Sequence, residues 1–442
     1  MARLPGPRNP VELVRLAVLA ERDLGRFLLD TYRRYGSVVE IGIGPLRFVY
    51  LFGQEANELI LSTGTDHFEW GPALRRGLEL VDGPSAIVLS DGAVHRRRRR
   101  LVQPAFSKKR VDDHLSLIVE ELDSTVDGWT PGRHLDAHVE LRAAIRRIVV
   151  RSLFGDRLGG RADEIGDALE PALQYIQRPF SRRIDIDLRV NGYARARRAV
   201  RAADALIDEE IAHRRRHGTG DGDTLSLLMA AADDEGGPAL SDDELRDQVR
   251  SLIAAGYDTT SAGAAWVVHA LGTHTAIRNQ VRAEVRDRLG DQPPRIDELR
   301  HLPLVDGVVH EVLRLWPPGL LSGRKVVEPF DLHGHTIPAG RFVIYSAHVT
   351  HRLPELWPDP DAFRPERWAP DAPEPPPYAF VPFGGGYRRC IGFALATLEL
   401  QALVCRLVQR VEWEPAYKHA RPHGVAASTP RGGLPISVTA GI

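Results

Sequence analysis

Residues 383–392 read FGGGYRRCIG, and the function of the whole chain is first legible there. Three consecutive glycines, Gly384, Gly385 and Gly386, let the backbone turn tightly and come close to a bulky flat group, because no Cβ stands in the way. The loop ends in one cysteine, Cys390, just before an apolar run that reads as a helix. Arg388 and Arg389 beside it, together with the partial positive charge of a helix N-terminus, favour the thiolate. A thiolate presented in this way serves either as a nucleophile or as an iron ligand.

Working outward, composition narrows the choice of partners. The 442 residues could fill two or three domains at the usual roughly 100–200 residues each. A formal net charge of −1 gives no reason to expect nucleic acid or an anionic membrane. Two cysteines, Cys390 and Cys405, argue against a disulfide framework and fit a reducing compartment. Cys405 lies between Leu403, Val404 and Leu407 and reads as a core residue. An apolar run near 14–20 is interrupted by Arg15 and bounded by Arg22. It falls short of the ~18–20 uninterrupted apolar residues a span needs, and no small-residue cleavage site follows it. The expectation is a cytoplasmic protein without a membrane anchor.

Periodicity then organises the chain. Two β-like runs, 38–43 and 46–52, flank Gly44 and Pro45 and predict a hairpin. From residue 91 onward helical spacing dominates, with helices expected over 95–102, 110–126, 136–153, 199–216, 241–272, 277–289, 306–316 and 391–411. The 241–272 segment is long for a globular helix and opens on Ser241 and Glu244 at capping-box spacing. Gly/Asp-rich stretches at 217–223 and 233–237 read as mobile surface loops. A second β-like patch covers 326–346, with turns at 333–334 and 338–340. The proline-rich segment 354–377 reads either as a linker or, because Trp357, Phe363 and Trp368 are interleaved, as a packed meander. The expected class is mainly α with small β-sheets (α+β): one domain, 1–442, β-rich over about 36–90 and helical over about 91–442.

Three further segments carry chemistry. Ala255-Gly256-Tyr257-Asp258-Thr259-Thr260 lies inside the long helix. A helical Thr can return its hydroxyl to the carbonyl four residues back, here Ala255, and loosen the helix. Asp258 beside it is a proton source, although Asp-Thr-Thr is also a common capping sequence. Glu311 and Arg314 are three apart and share a helix face, a pattern any solvated helix can carry. His95 and Arg99 open and nearly close a run of five arginines, 96–100, and being four apart they too share a face. Arg96 and Arg100 fall on another face. That run reads as an anion site, a docking surface or a solvated helix, and no aromatic interleaving supports nucleic acid.

Taken together and in this order, the four segments resemble the cytochrome P450 family of haem-thiolate monooxygenases, in its soluble bacterial form. Phe383, Gly386, Arg388, Cys390 and Gly392 match the family's FxxGxRxCxG, and 255–260 resembles its AGxDTT. The resemblance implies a long central helix over the haem and Cys390 as axial ligand of iron protoporphyrin IX (haem b). It also implies His95, Arg99, Arg324 and Arg388 on the haem propionates, with Phe383 and Ala255 against the cofactor. Asp258 and Thr259 would then deliver protons for oxygen activation. Glu311, Arg314 and Arg367 would form a buried network that shapes the cysteine loop without a catalytic task. No flavin, nicotinamide or iron–sulfur motif is apparent, so two electrons would arrive from a ferredoxin or flavodoxin-type donor with its reductase. The implied reaction is hydroxylation or epoxidation of a small apolar organic substrate by dioxygen, in secondary metabolism or lipid, terpenoid or steroid oxidation. Segments 68–89, 252–255 and 319–322 are expected to line its pocket. A peroxide-driven peroxygenase and a non-catalytic haem-binding protein are the alternatives. The acid–Thr pair speaks against the first.

Overall fold

A computed structural model describes residues 3–44, 47–179, 182–218, 223–230 and 239–441. Its centre is the helix Asp242–Thr273, whose start carries the expected capping box: Ser241 Oγ accepts the Glu244 N–H, and Glu244 returns a bond to the Ser241 N–H. Small residues let neighbours come close. A Cβ on Gly263 would sit 3.3 Å from Leu400 Cδ1, and one on Gly256 3.0 Å from Val149 Cγ1. The helices Ala137–Gly159, Pro303–Leu315 and Phe393–Arg410 pack around this axis and share one apolar core with it. Within that core Trp266 stacks on Trp316 with 5.0 Å between ring centroids.

The hairpin forms as predicted, with Val38–Ile41 antiparallel to Phe48–Leu51, while part of its turn (45–46) lies outside the described residues. The hairpin does not stay local. Phe48–Leu51 runs parallel to Phe342–Tyr345, which pairs antiparallel with Ser322–Val326, and Phe68–Glu69 closes the five-stranded sheet. The turn at His333 and Gly334 has both residues at positive φ, 48° and 75°, and joins Phe330–Leu332 to His335–Ile337. His134–Asp136, Val411–Pro415 and Pro435–Gly441 make a three-stranded sheet, and Pro422–His423 pairs with Thr429–Pro430.

Several boundaries differ from the sequence reading. The expected helix 110–126 is two helices, Lys108–Asp113 and Leu115–Val126, parted at His114. The one expected over 199–216 begins earlier, at Gly192, because Asn191 caps it through a bond from the Ala194 N–H. Helices over Pro10–Arg22, Leu24–Tyr35, Gly71–Asp82 and Ala162–Ile176 were not anticipated. The stretch 233–237, read as a loop, lies outside the described residues, as does most of 217–223. The proline-rich segment is a packed meander, with Trp357 and Phe363 buried and Trp357 5.6 Å from Trp368.

Candidate functional site

Two positive-φ glycines shape the cysteine loop, Gly384 at 66° and Gly386 at 60°. A Cβ on Gly386 would meet Leu61 O at 1.9 Å, so only glycine fits there. The Cys390 N–H donates to Phe383 O at 2.9 Å and closes the loop on itself, and the Phe383 ring lies edge-on to Phe393. The Arg99 guanidinium, from the helix Gly92–Val102, donates from Nη1 to Arg389 O at 2.9 Å and pins the loop from outside.

Cys390 is exposed, yet protein surrounds it closely enough that burial lifts its thiol above the ordinary range. The Gly392 N–H, Arg99 and Arg389 pull the other way and lose. Of the two arginines expected to favour the thiolate, Arg389 does pull the thiol down but is outweighed by burial. Arg388 turns aside to Asp91, with Nη2 2.6 Å from Oδ1, and desolvation outweighs the remaining charges. Bound iron, which takes the sulfur deprotonated, would supply the missing stabilisation. Cys405 is fully buried, with its thiol pushed up to about 12.

The long helix has a matching feature. From Asp247 to Leu271 every residue is buried except Ala255, Gly256 and Thr259, which occupy one face. Thr259 Oγ1 donates to Ala255 O at 2.7 Å, but the helix runs unbroken across the position. The opening comes from small side chains, not from a loosened backbone. Asp258 is buried and points elsewhere. Its Oδ1 accepts from Arg142 Nη2 at 3.0 Å and its Oδ2 from Gln177 Nε2 at 3.0 Å. Of the expected pocket segments, Leu252 and Leu320 are buried, whereas Gly319 is exposed.

Beside the loop lies a cluster of buried donors without acceptors. Arg324 is 3% exposed and stacks over Trp70, its Cζ 3.2 Å from the ring centroid. Its Nη1 donates to Ser322 Oγ and Gly323 O, but its Nη2 has no hydrogen-bond acceptor within bonding geometry among the described residues, with the Tyr345 ring 5.2 Å from Cζ. Arg388 Nε, Trp70 Nε1 and His95 Nδ1 are likewise buried and unpartnered. The four residues are contiguous: Arg388 lies over Trp70 and Tyr387, and His95 is edge-on to Tyr387. Burial, followed by Arg388, Arg99 and Arg96, pushes His95 down to about 3, so it stays neutral. Burial also lowers Arg324 to about 10. Unsatisfied buried donors are costly, and a set that includes two guanidiniums suits the carboxylates of an anionic group. The donors, the exposed cysteine and the bared helix face together fit haem. Trp70 and Asp91 were invisible in the sequence. Asp91 accepts from the Trp70 and Gly71 N–H groups and from Arg388 at once, and none of the three is a sequence neighbour.

Behind the loop, Glu311 and Arg314 are both fully buried. Arg314 donates from Nε and Nη2 to the two carboxylate oxygens at 2.8 Å each, and from its other N–H groups to His351 O, Pro360 O and Ala362 O. Glu311 also accepts from Arg367 Nε, Trp368 Nε1 and the Arg364 N–H. His351 carries the network forward. Its Nδ1 faces Arg314 O at 3.1 Å and its Nε2 accepts the Val381 N–H at 2.9 Å, two residues before Phe383. Burial pushes His351 down to about 3, which keeps Nε2 free to accept.

The comparisons with known proteins agree with this geometry. The cytochrome P450 family profile matches residues 4–428. A putative cytochrome P450 139 of Mycobacterium tuberculosis is 42% identical over 423 residues, covering 94% of this chain and 97% of the relative. A cyclooctat-9-en-7-ol 5-monooxygenase of Streptomyces melanosporofaciens is 33% identical over 386 residues, covering 86% and 83%. Among solved structures, a cyanobacterial CYP120A1 with retinoic acid bound superposes with a TM-score of 0.89 at 26% identity, each chain covered in full. Among the described residues no helix is long and apolar enough to cross a membrane. The chain belongs to the cytochrome P450 family, as a haem-dependent monooxygenase that acts on a substrate with dioxygen and redox partners.

Proposed function

We propose that the protein inserts one oxygen atom into an apolar isoprenoid-type substrate, with Cys390 Sγ as the iron ligand of haem b. The carrying observation is the long helix, closed everywhere along its middle except at Ala255, Gly256 and Thr259. Haem, when bound, supplies the iron on which dioxygen is activated. The chain's own groups do the rest. His95 Nδ1, Arg324 Nη2, Arg388 Nε and Trp70 Nε1 would hold the carboxylates, and Arg99 would keep the loop in place. Thr259 Oγ1 would hold a proton at the bared face, resupplied through the Asp258 carboxyl. Glu311, Arg314 and Arg367 would act only by shaping the loop. Only two cysteines are present, and Cys405 is buried in the core, which favours a non-covalently held haem b over an attached one. The main sheet joins strands of residues 38–69 to strands of 322–345, and a second sheet joins 134–136 to 411–441, which supports 1–442 acting as one catalytic domain. Free cysteines support a cytoplasmic setting.

Two relatives favour the substrate class. Their names give cyclooctat-9-en-7-ol and retinoic acid, both largely apolar carbon frameworks with one polar group. Electrons would come from an acidic ferredoxin or flavodoxin. A cavity of about 810 Å³ is lined by Phe383, Gly384, Gly385, Gly386 and Arg389 of the cysteine loop. Lys108 and Arg300 share Asp112 at its edge, and Arg96 and Arg100 are exposed on the helix Gly92–Val102. Difference spectroscopy on the haem-loaded protein tests the substrate: isoprenoid alcohols and acids should shift the iron spin state and, with a ferredoxin system and NADPH, gain one oxygen. A shift confined to fatty acids would overturn the class.

A further inference from the structure

Both oxygens of Asp258 are tied, but by unlike partners. Arg142 holds Oδ1 from Nη2 and Nε, at 3.0 and 3.3 Å, and is itself fixed by Glu170 and by the Tyr257 ring 5.1 Å away. Gln177 holds Oδ2 with a neutral amide at 3.0 Å. The other end of that amide is equally engaged: Gln177 Oε1 accepts the backbone N–H groups of Val425, Ala426 and Ala427 at 3.1, 3.1 and 3.3 Å. Chemistry fixes its orientation. Turned over, the NH2 would face three donors and the oxygen would face a carboxylate.

The turn it reads lies between the strands Pro422–His423 and Thr429–Pro430. Gly424, at φ 114°, admits no side chain, because a Cβ would lie 2.2 Å from Ala427 O and 2.9 Å from Gln177 Oε1. The far end of the turn is anchored through Ser428, whose N–H donates to Pro318 O at 2.9 Å and whose carbonyl accepts from Trp266 Nε1 at 2.8 Å. Pro318 leads directly into 319–322, a segment the sequence assigns to the pocket.

We infer that Gln177 is a positioning residue that makes the orientation of the Asp258 carboxyl depend on the turn 424–427, so that a ligand displacing the turn alters the acid beside Thr259. This rests on the reading of Asp258 as the proton source. The bridge spans 81 residues on one side and about 248–250 on the other, and its three parts have no other described hydrogen bond in common.

Two variants of the haem-loaded protein test it. Q177M keeps length but loses donor and acceptor. Q177E keeps an acceptor for the three N–H groups and sets a second carboxylate against Asp258. Hydrogen exchange at 425–427, read by mass spectrometry, should speed up about tenfold or more in Q177M and stay within about twofold of wild type in Q177E. In both variants the fraction of reductant that ends in product should fall at least about threefold with peroxide released instead, while ligand Kd from the spin-state shift stays within about twofold. Wild-type coupling in Q177E, or unchanged exchange at 425–427 in Q177M, would overturn the inference. Full coupling in Asp258→Asn would instead sink the reading of Asp258, and the exchange results would still report on the bridge.

Discussion

Two buried charged clusters flank the cysteine loop, and they are built to opposite rules. Around Glu311 every N–H of Arg314 has an acceptor, and both carboxylate oxygens are shared among Arg314, Arg364, Arg367 and Trp368. Around Arg324 one buried nitrogen on each of Arg324, Arg388, Trp70 and His95 has no partner among the described residues, although Arg324 Nη1 and Arg388 Nη2 are engaged elsewhere. Burial is similar, so burial alone does not separate them. Satisfaction does. The first cluster is finished by the chain itself and acts as structure. The second, on the proposed function, would be completed by the carboxylates of bound haem. A buried ion pair is costly to break from one side, because the surviving charge is stranded. A buried cation with no partner costs free energy until its ligand arrives.

Breaking the finished cluster should have the largest effect. Glu311→Ala strands Arg314 in the core and is expected to lower unfolding free energy by about 3–5 kcal/mol in urea titration, with loss of bound haem as a consequence. Retention of both would mean that the network is not what holds the loop.

Glu399 sharpens the contrast, because it is unpartnered without being a binding group. It is 1% exposed on the helix Phe393–Arg410, neither oxygen reaches hydrogen-bond geometry, and burial pushes it up to about 8 against the opposing influence of nearby Thr260. It is therefore neutral at pH 7. Its folded value lies above the ordinary 4.5, so its contribution is fully present below pH 4.5 and is lost as pH rises through about 8. Glu399→Gln should lie within about 1 kcal/mol of wild type near pH 5 and exceed it by on the order of 4 kcal/mol at pH 8. A constant difference across that range would show that Glu399 is ionised.

Arg324→Met is expected to act with opposite signs on the two forms of the protein. Stripped of haem, the variant should be as stable as wild type or more so, by about 1 kcal/mol or less. Loaded, it should release haem at least about tenfold faster. Equal destabilisation of both forms would make Arg324 a structural residue like Arg314. The smallest effect on stability belongs to Thr259→Ala, which removes one back-bond to Ala255 O and should cost no more than about 0.5 kcal/mol. Its consequence should appear in turnover, as reductant use released as peroxide.

The sequence makes the cysteine loop, the capping box and the Glu311–Arg314 face legible, because each is a local pattern whose physics lies within a few residues. Other features depend on distant partners. Asp23 ends the helix Pro10–Arg22 and caps Leu24–Tyr35, and the periodicity reading places no helix over either stretch. The helix Ala162–Ile176 carries Pro171 within it, which argues against a helix locally, and packing overrides that. Arg142 and Gln177 meet Asp258 across 116 and 81 residues. Trp70 joins the cluster of unpartnered nitrogens only once Arg324 and Arg388 stack on it. No spacing within the sequence encodes any of these meetings.

The most direct test is the carbon monoxide difference spectrum of the reduced, haem-loaded protein beside that of Cys390→Ser. The strongly red-shifted band of a sulfur-ligated iron should be present in the first and absent from the second. The same band in both would contradict Cys390 as the ligand and, with it, the assignment of the unpartnered donors to a haem seated on that loop.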